Sequence, residues 1–194
     1  MSEETKKPTE KADKAIVEIQ NVVASVVLDQ RIDLNQIVKN FENVEYKPDQ
    51  FPGLVFRLEK PKTATLIFSS GKMVSTGAKS EKQATEAVHK ITRELKNKKI
   101  IEKTRPQITV QNIVASATLP GKIDLEHAVT GLERTMYEPE QFPGLIYRMH
   151  DPDVVILLFA SGKLVCTGAV NEKMVYDAVE NLMAELIQKG LLIR

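Results

Sequence analysis

The sequence is short of the features that mark a secreted, membrane or catalytic protein. Cys166 is the single cysteine, so no disulfide can form within the chain, and an intracellular home is expected. No run of about 18 apolar residues is present, the length that a spanning helix needs. The first residues, MSEETKKPTEKADK, hold four lysines and four acids and lack the apolar core of a secretory signal. They read as a disordered charged tail over 1–14. No HExxH, CxxC, GxSxG or P-loop pattern occurs, and no cofactor or metal is expected.

What is present is ordinary globular composition, 42% hydrophobic and 27% charged. The net charge of +1 hides an uneven distribution. Residues 15–104 carry 15 Lys and Arg against 11 Asp and Glu, or +4. Residues 105–194 carry 8 against 11, or −3. One half is basic and the other acidic.

The chain is one module written twice. Residues 20–96 recur at 111–187 without a gap, and 35 of the 77 aligned pairs are identical. Gln20-Asn21-Val22-Val23-Ala24-Ser25 returns as Gln111-Asn112-Ile113-Val114-Ala115-Ser116. Gln50-Phe51-Pro52-Gly53-Leu54 returns as Gln141-Phe142-Pro143-Gly144-Leu145. Ser70-Gly71-Lys72 and Thr76-Gly77-Ala78 return as Ser161-Gly162-Lys163 and Thr167-Gly168-Ala169. The lysine-rich stretch 97–106, ending in Pro106, connects them. The first repeat is assigned to 15–100, the linker proper to 101–106 and the second repeat to 107–194.

Within a repeat the order of elements is readable. Residues 16–28 are rich in β-branched side chains and predict a strand. Asp33 predicts an N-cap, followed by apolar Leu34, Ile37, Val38 and Phe41 at helical spacing. Strands are expected near 54–59, 63–68 and 73–76, broken by Pro61 and by Ser70-Gly71. Ser80 with Gln83 has the form of a capping box. The helix it opens should bury Ala84, Ala87, Val88, Ile91 and Leu95, repeated as Val175, Ala178, Val179, Leu182 and Leu186. The fold class is therefore α+β, with a mostly antiparallel sheet.

Alternation assigns Val22, Ala24 and Val26 to one face of the first strand and Asn21, Val23, Ser25 and Val27 to the other. Leu66 and Phe68 share a face, as do Val74 and Thr76. Both faces are largely apolar, yet two helices per repeat cover only one. Either the two repeats pack sheet on sheet as a sandwich, or one continuous sheet leaves an apolar face open for binding.

The motifs QN[VI]V, QFPGL, [SA]SGK and TGA, with Arg57 and Arg148 in LVFRLEKP and LIYRMHDP, resemble the TATA-box-binding protein family. The resemblance spans about residues 16–190, in both repeats and in order. The short charged N-terminus is similar to archaeal members. It implies a saddle of ten curved antiparallel strands with four helices on the convex side, and a concave underside on the DNA minor groove. This family is an established example of minor-groove wedging and kinking, so that mechanism comes with the resemblance.

By that resemblance Phe51, Phe68, Phe142 and Phe159 are the wedges that open base steps. Asn21 and Asn112 supply central donors. Val23, Val114, Leu66, Leu157, Val74, Val165, Thr76 and Thr167 form an apolar floor over bases. Such a surface suits A·T pairs, which show only acceptors in the minor groove, whereas G·C adds an amino group. Arg57, Arg148, Lys72, Lys163, Ser70 and Ser161 are phosphate contacts. Lys79, a further candidate, is Val170 in the second repeat, which breaks the symmetry there.

The implied partners are A·T-rich promoter DNA, an initiation factor of the transcription-factor-B type and, through it, RNA polymerase. In the family that factor docks on the second QFPGL loop, here Glu138, Glu140 and Gln141. The first repeat has Lys47 and Asp49 in place of the two acids. Since the underside differs little between repeats, the chain alone should bind in both orientations, one chain per site. An apolar underside could also self-associate weakly without DNA. The expected location is the cytoplasm of an archaeal cell, at the nucleoid, or the nucleus of a eukaryotic one.

The residues speak against two other functional classes. Against an enzyme, His89, His127 and His150 do not recur between repeats, and Ser69-x-x-Lys72 has Ala160 as its repeat partner. Against a module binding a peptide or helix on an apolar sheet stand the paired Asn residues and the basic rim.

Overall fold

The computed structural model describes residues 14–102 and 105–194. Apart from Lys14, the expected tail over 1–14 lies outside the described residues, as do positions 103 and 104 of the linker.

The first repeat runs β1 (Ile16–Val27), α1 (Leu34–Asn40), β2 (Val44–Glu45), β3 (Leu54–Glu59), β4 (Lys62–Ile67), β5 (Lys72–Ala78) and α2 (Glu81–Asn97). The second runs β6 (Gln107–Thr118), β7 (Lys122–Ile123), α3 (Leu125–Gly131), β8 (Thr135–Met136), β9 (Leu145–Met149), β10 (Val154–Leu158), β11 (Lys163–Ala169), α4 (Glu172–Gln188) and β12 (Leu192–Ile193). Ten strands form one antiparallel sheet in the order β2-β3-β4-β5-β1-β6-β11-β10-β9-β8. That order is the same read from either end by repeat. Val22 pairs with its own counterpart Ile113, so the axis relating the repeats passes between β1 and β6. The sandwich alternative is thereby excluded.

Alternation decides which face the helices cover. Val22, Ala24 and Val26 are buried, as are Thr63, Thr65 and Ile67 on β4 and Met73 and Ser75 on β5. The long helices bury the expected stripes, Ala84, Ala87, Val88, Ile91 and Leu95 on α2 and their five counterparts on α4. The core consists of two clusters, one per repeat. Val22, Ala24, Ala78 and Ala84 of the first repeat join the cluster of the second.

Local differences from the sequence reading have physical causes. β4 begins and ends one residue before the expected 63–68, and β5 extends one residue before and two after the expected 73–76. On α1, Leu34 and Ile37 are buried but Val38 is exposed. The seven-residue helix buries only Leu34 and Ile37, so the position at i+4 from Leu34 is left facing solvent. Phe41 is the C-cap, and its ring meets Phe56 edge to face at 5.0 Å. At α2 the Ser80 hydroxyl accepts from Gln83 N at 3.0 Å. The Gln83 carbonyl reaches past the N-cap to accept from Lys79 N at 3.0 Å, a variant of the expected box.

One pair of core positions distinguishes the repeats. Thr65 and Ser75 face each other on β4 and β5, and both hydroxyls are buried without a partner. The counterparts Ile156 and Cys166 are also paired and are apolar. Burial pushes the Cys166 thiol up to about 11, so it stays neutral. An unpaired buried hydroxyl costs about 1–3 kcal/mol. Thr65→Val should therefore raise the stability by roughly 1 kcal/mol. The check is an upward shift of the denaturant midpoint at constant slope; a fall would mean the hydroxyl is bonded.

Candidate nucleic-acid interface

The face of the sheet away from the helices has no covering element among the described residues. Cross-strand pairing lays its side chains in rows. One row runs Val55, Leu66, Val74, Ser25 and Thr109, and its counterpart runs Ile146, Leu157, Val165, Ser116 and Glu18. Arg57, Ala64 and Thr76 form a second row in the first repeat, Arg148, Val155 and Thr167 in the other. The eight expected floor residues are all half-buried on this face. Val55, Ala64, Ile146 and Val155 belong with them. Period-2 counting from Arg57 and Leu66 carries that signal in the sequence.

The two asparagines are fixed by the backbone. Between Val22 and Ala24 the β1–β5 pairing shifts register, and Gly77 lies in the resulting bulge at φ +99. Its N–H donates to Asn21 Oδ1 at 2.6 Å. A backbone N–H can only donate, so the atom it meets is the oxygen, and the amide orientation is settled. The NH2 group donates one hydrogen to Thr76 Oγ1 at 3.1 Å and keeps its second hydrogen for another acceptor. The second site repeats this: Gly168, φ +98, donates to Asn112 Oδ1 at 2.7 Å, and Asn112 Nδ2 lies 3.2 Å from Thr167 Oγ1. An added Cβ at Gly77 would stand 3.2 Å from Lys62 O, in a backbone region that side chains avoid. The result is two donor groups held on an apolar surface, one on each side of the symmetry axis.

The four phenylalanines form two identical pairs. Phe51 and Phe68 meet edge to face with centroids 5.9 Å apart, and Phe142 and Phe159 do the same at 5.9 Å. Phe51 is 44% exposed and Phe142 39%, while Phe68 and Phe159 are half-buried. Each pair rests on a glycine. A Cβ at Gly53 would come within 2.8 Å of the Phe51 ring and 3.0 Å of the Phe68 ring, and Gly144 has the same clearances to Phe142 and Phe159. The FPG sequence therefore provides the seat for its own phenylalanine.

The candidate phosphate contacts are on the rim. Arg57, Arg148, Lys72 and Lys163 are exposed. Ser70 and Ser161 occupy the turns after Phe68 and Phe159, where their hydroxyls accept from Lys72 N at 3.4 Å and Lys163 N at 3.3 Å. Arg57 also lies 3.7 Å from Glu45, whose counterpart is Met136. Glu138, Glu140 and Gln141 are exposed in the β8–β9 loop, where Glu138 O accepts from Gln141 N and Phe142 N at 3.0 and 2.9 Å. Lys47 O makes the same two bonds at 3.0 Å in the first repeat. The loops share a backbone shape and differ in charge. Glu18 was missed by sequence reasoning. A register shift between Ile19 and Asn21 turns it onto the open face opposite Ser116, against the parity counted from Asn21.

Among the described residues, no group of three or more His, Cys, Asp or Glu is placed to hold a metal. Among the described residues, no helix is long and apolar enough to cross a membrane.

The family model described as transcription factor TFIID, or TATA-binding protein, matches this chain twice, over residues 16–98 and 107–189. The chain belongs to the TATA-binding protein family. Curated relatives agree. The TATA-box-binding protein of Pyrodictium occultum is 55% identical over 177 residues, covering 91% of this chain and 89% of the relative. That of Sulfolobus acidocaldarius is 52% identical over 181 residues, covering 93% and 92%. The solved structure of Methanococcus jannaschii TBP superposes with a TM-score of 0.81 at 46% identity, over 89% of this chain and 98% of that one. The saddle-shaped ten-stranded sheet with four helices on its convex side, expected from the resemblance, is the fold found. The family is one of DNA-binding transcription factors, not of enzymes.

Proposed function

We propose that this chain is a general transcription factor that binds the minor groove of A·T-rich, TATA-box promoter DNA. It does so through its open sheet face, kinks the duplex with its phenylalanine pairs and nucleates the initiation complex. The observation that carries this is the locked amide pair. Asn21 and Asn112 each turn an amide NH2 toward the open face, its carbonyl taken by a backbone N–H, at the centre of a largely apolar surface. A·T pairs offer acceptors alone in the minor groove, while the amino group of G·C would meet these donors and the Val and Leu floor. A peptide-binding face would not require two fixed amides related by symmetry.

The roles follow from position. Val23, Val114, Leu66, Leu157, Val74, Val165, Thr76 and Thr167 lie against bases. Phe51 with Phe68, and Phe142 with Phe159, enter base steps at the two ends of the site. Arg57, Arg148, Lys72, Lys163, Ser70 and Ser161 meet phosphates. One chain occupies one site, because it carries both halves. The acidic loop of Glu138, Glu140 and Gln141 receives a factor of the transcription-factor-B type, and through it RNA polymerase.

Filter binding with matched A·T-rich and G·C-rich duplexes tests the reading, with Asn21→Ala plus Asn112→Ala as the site variant. The expected result is a clear A·T preference in the parent and about a tenfold to hundredfold loss of A·T affinity in the variant, the scale of 1–3 kcal/mol for a base contact. An unchanged affinity would remove the amides from the interface.

A further inference from the structure

We infer that the β3–β4 hairpin of the first repeat is an additional phosphate-binding rim, and that the matching hairpin of the second repeat is built to leave phosphate alone. The inference rests on the DNA-binding reading above and deepens it.

A shallow basin runs from Thr76 and Gly77 on the open face to the hairpin tip. Its charged residues are Arg57, Lys60, Lys62 and Lys79, with Glu59 the one acid, a net of +3. Lys60 and Lys62 form no ion pair among the described residues. The Lys79 ammonium is held at the edge of the basin by donating to Gln20 O at 2.8 Å. The hairpin is braced from behind, where Lys90 on α2 donates to Lys60 O at 3.1 Å.

The second repeat keeps this architecture and inverts its charge. Asn181, the counterpart of Lys90, donates to Asp151 O at 3.3 Å, so the brace is retained. Both hairpins turn through a cis proline, Pro61 and Pro152. The residues aligned with Lys60, Lys62 and Lys79 are Asp151, Asp153 and Val170. With Arg148 and His150 in place of Arg57 and Glu59, the formal net, counting Lys, Arg, Asp and Glu, is −1. Two rims of one backbone shape thus differ by four charges, at the margin of a face that fits a polyanion. This is where the +4 and −3 of the two halves become local.

Phosphates carry no sequence information. The rim therefore adds affinity and salt dependence, not base preference, and on a symmetric site it selects no direction. Each phosphate neutralised adds about 0.9 to the steepness of log K against log salt on duplex DNA.

The test gives the first repeat the residues of the second, Lys60→Asp, Lys62→Asp and Lys79→Val together. A reciprocal variant, Asp151→Lys with Asp153→Lys, guards against misfolding of the first. Binding of the full chain to one A·T-rich duplex is measured across a salt series. The first variant should bind more weakly at low salt with a slope shallower by about 2–3, and the reciprocal variant more tightly with a slope steeper by about 1–2. The ratio of A·T-rich to G·C-rich affinity should hold in both. Parent slopes in both variants would overturn the rim while leaving the DNA reading intact. A parent chain without A·T preference would overturn the DNA reading itself.

Discussion

Replacing Phe68 and Phe159 together by alanine should lower affinity for an A·T-rich duplex by about two to four orders of magnitude and abolish its bending, with the fold retained. Opening a base step costs a few kcal/mol, the general figure for minor-groove binders that insert wedges, this family among them. A ring stacked in the gap offsets that cost, and about 1.4 kcal/mol corresponds to a tenfold change. In the free chain each ring meets the edge of Phe51 or Phe142 and lies over Gly53 or Gly144 on the uncovered face. Little packing depends on it. The loss should be about 1 kcal/mol per ring, against about 3–5 kcal/mol for a Phe inside a core. Calorimetry on the free chain should then show a melting temperature lowered by only a few degrees per ring. Full core-scale destabilisation would make these rings structural and would remove the wedge role.

Reversing charge in the acidic loop, Glu138→Lys with Glu140→Lys, should leave DNA binding by the chain alone in place and reduce recruitment of the initiation factor by at least about a hundredfold. Like charges brought together at an interface cost several kcal/mol. The loop backbone is held by main-chain bonds from Gln141 N and Phe142 N to Glu138 O, so the side chains can change without moving Phe142. The first-repeat loop keeps the same bonds around Lys47, which shows that a lysine fits this backbone. DNA binding is measured by filter retention, and recruitment by a gel shift with the purified factor. Directional transcription should fall with recruitment. Unchanged recruitment would take the loop out of the interface, while lost DNA binding would place the loop against the duplex.

The architecture was legible because the sequence states it twice. A duplicated strand–helix–strands–helix order leaves few arrangements, and alternation correctly divided β1, β4 and β5 into a helix-covered and an open face. Composition alone could not choose between sandwich and open sheet, since Val and Leu serve a core and a binding floor equally. The resemblance chose the open sheet, and the pairing of β1 with β6 bears it out. What stayed illegible depends on breaks in regularity. The bulge at Gly77 decides which way Asn21 points, and a Gly in TGA does not reveal that its N–H will meet a side chain. The register shift beside Gln20 moves Glu18 to the open face, which no fixed parity could foresee. The exposure of Val38 follows from how a short helix lies on the sheet, a tertiary matter.

The central claim is that the open face reads the minor groove, and base-analogue competition tests it most directly. In an A·T-rich duplex, each A·T pair is replaced by inosine·cytosine. This keeps an acceptor-only minor groove and gives the major groove the pattern of G·C. The account predicts that the inosine duplex competes nearly as well as the A·T parent, while the G·C duplex, with its amino group in the minor groove, competes poorly. If the inosine duplex behaves like G·C, the chain reads the major groove, and the assignment of Asn21, Asn112 and the apolar floor is wrong.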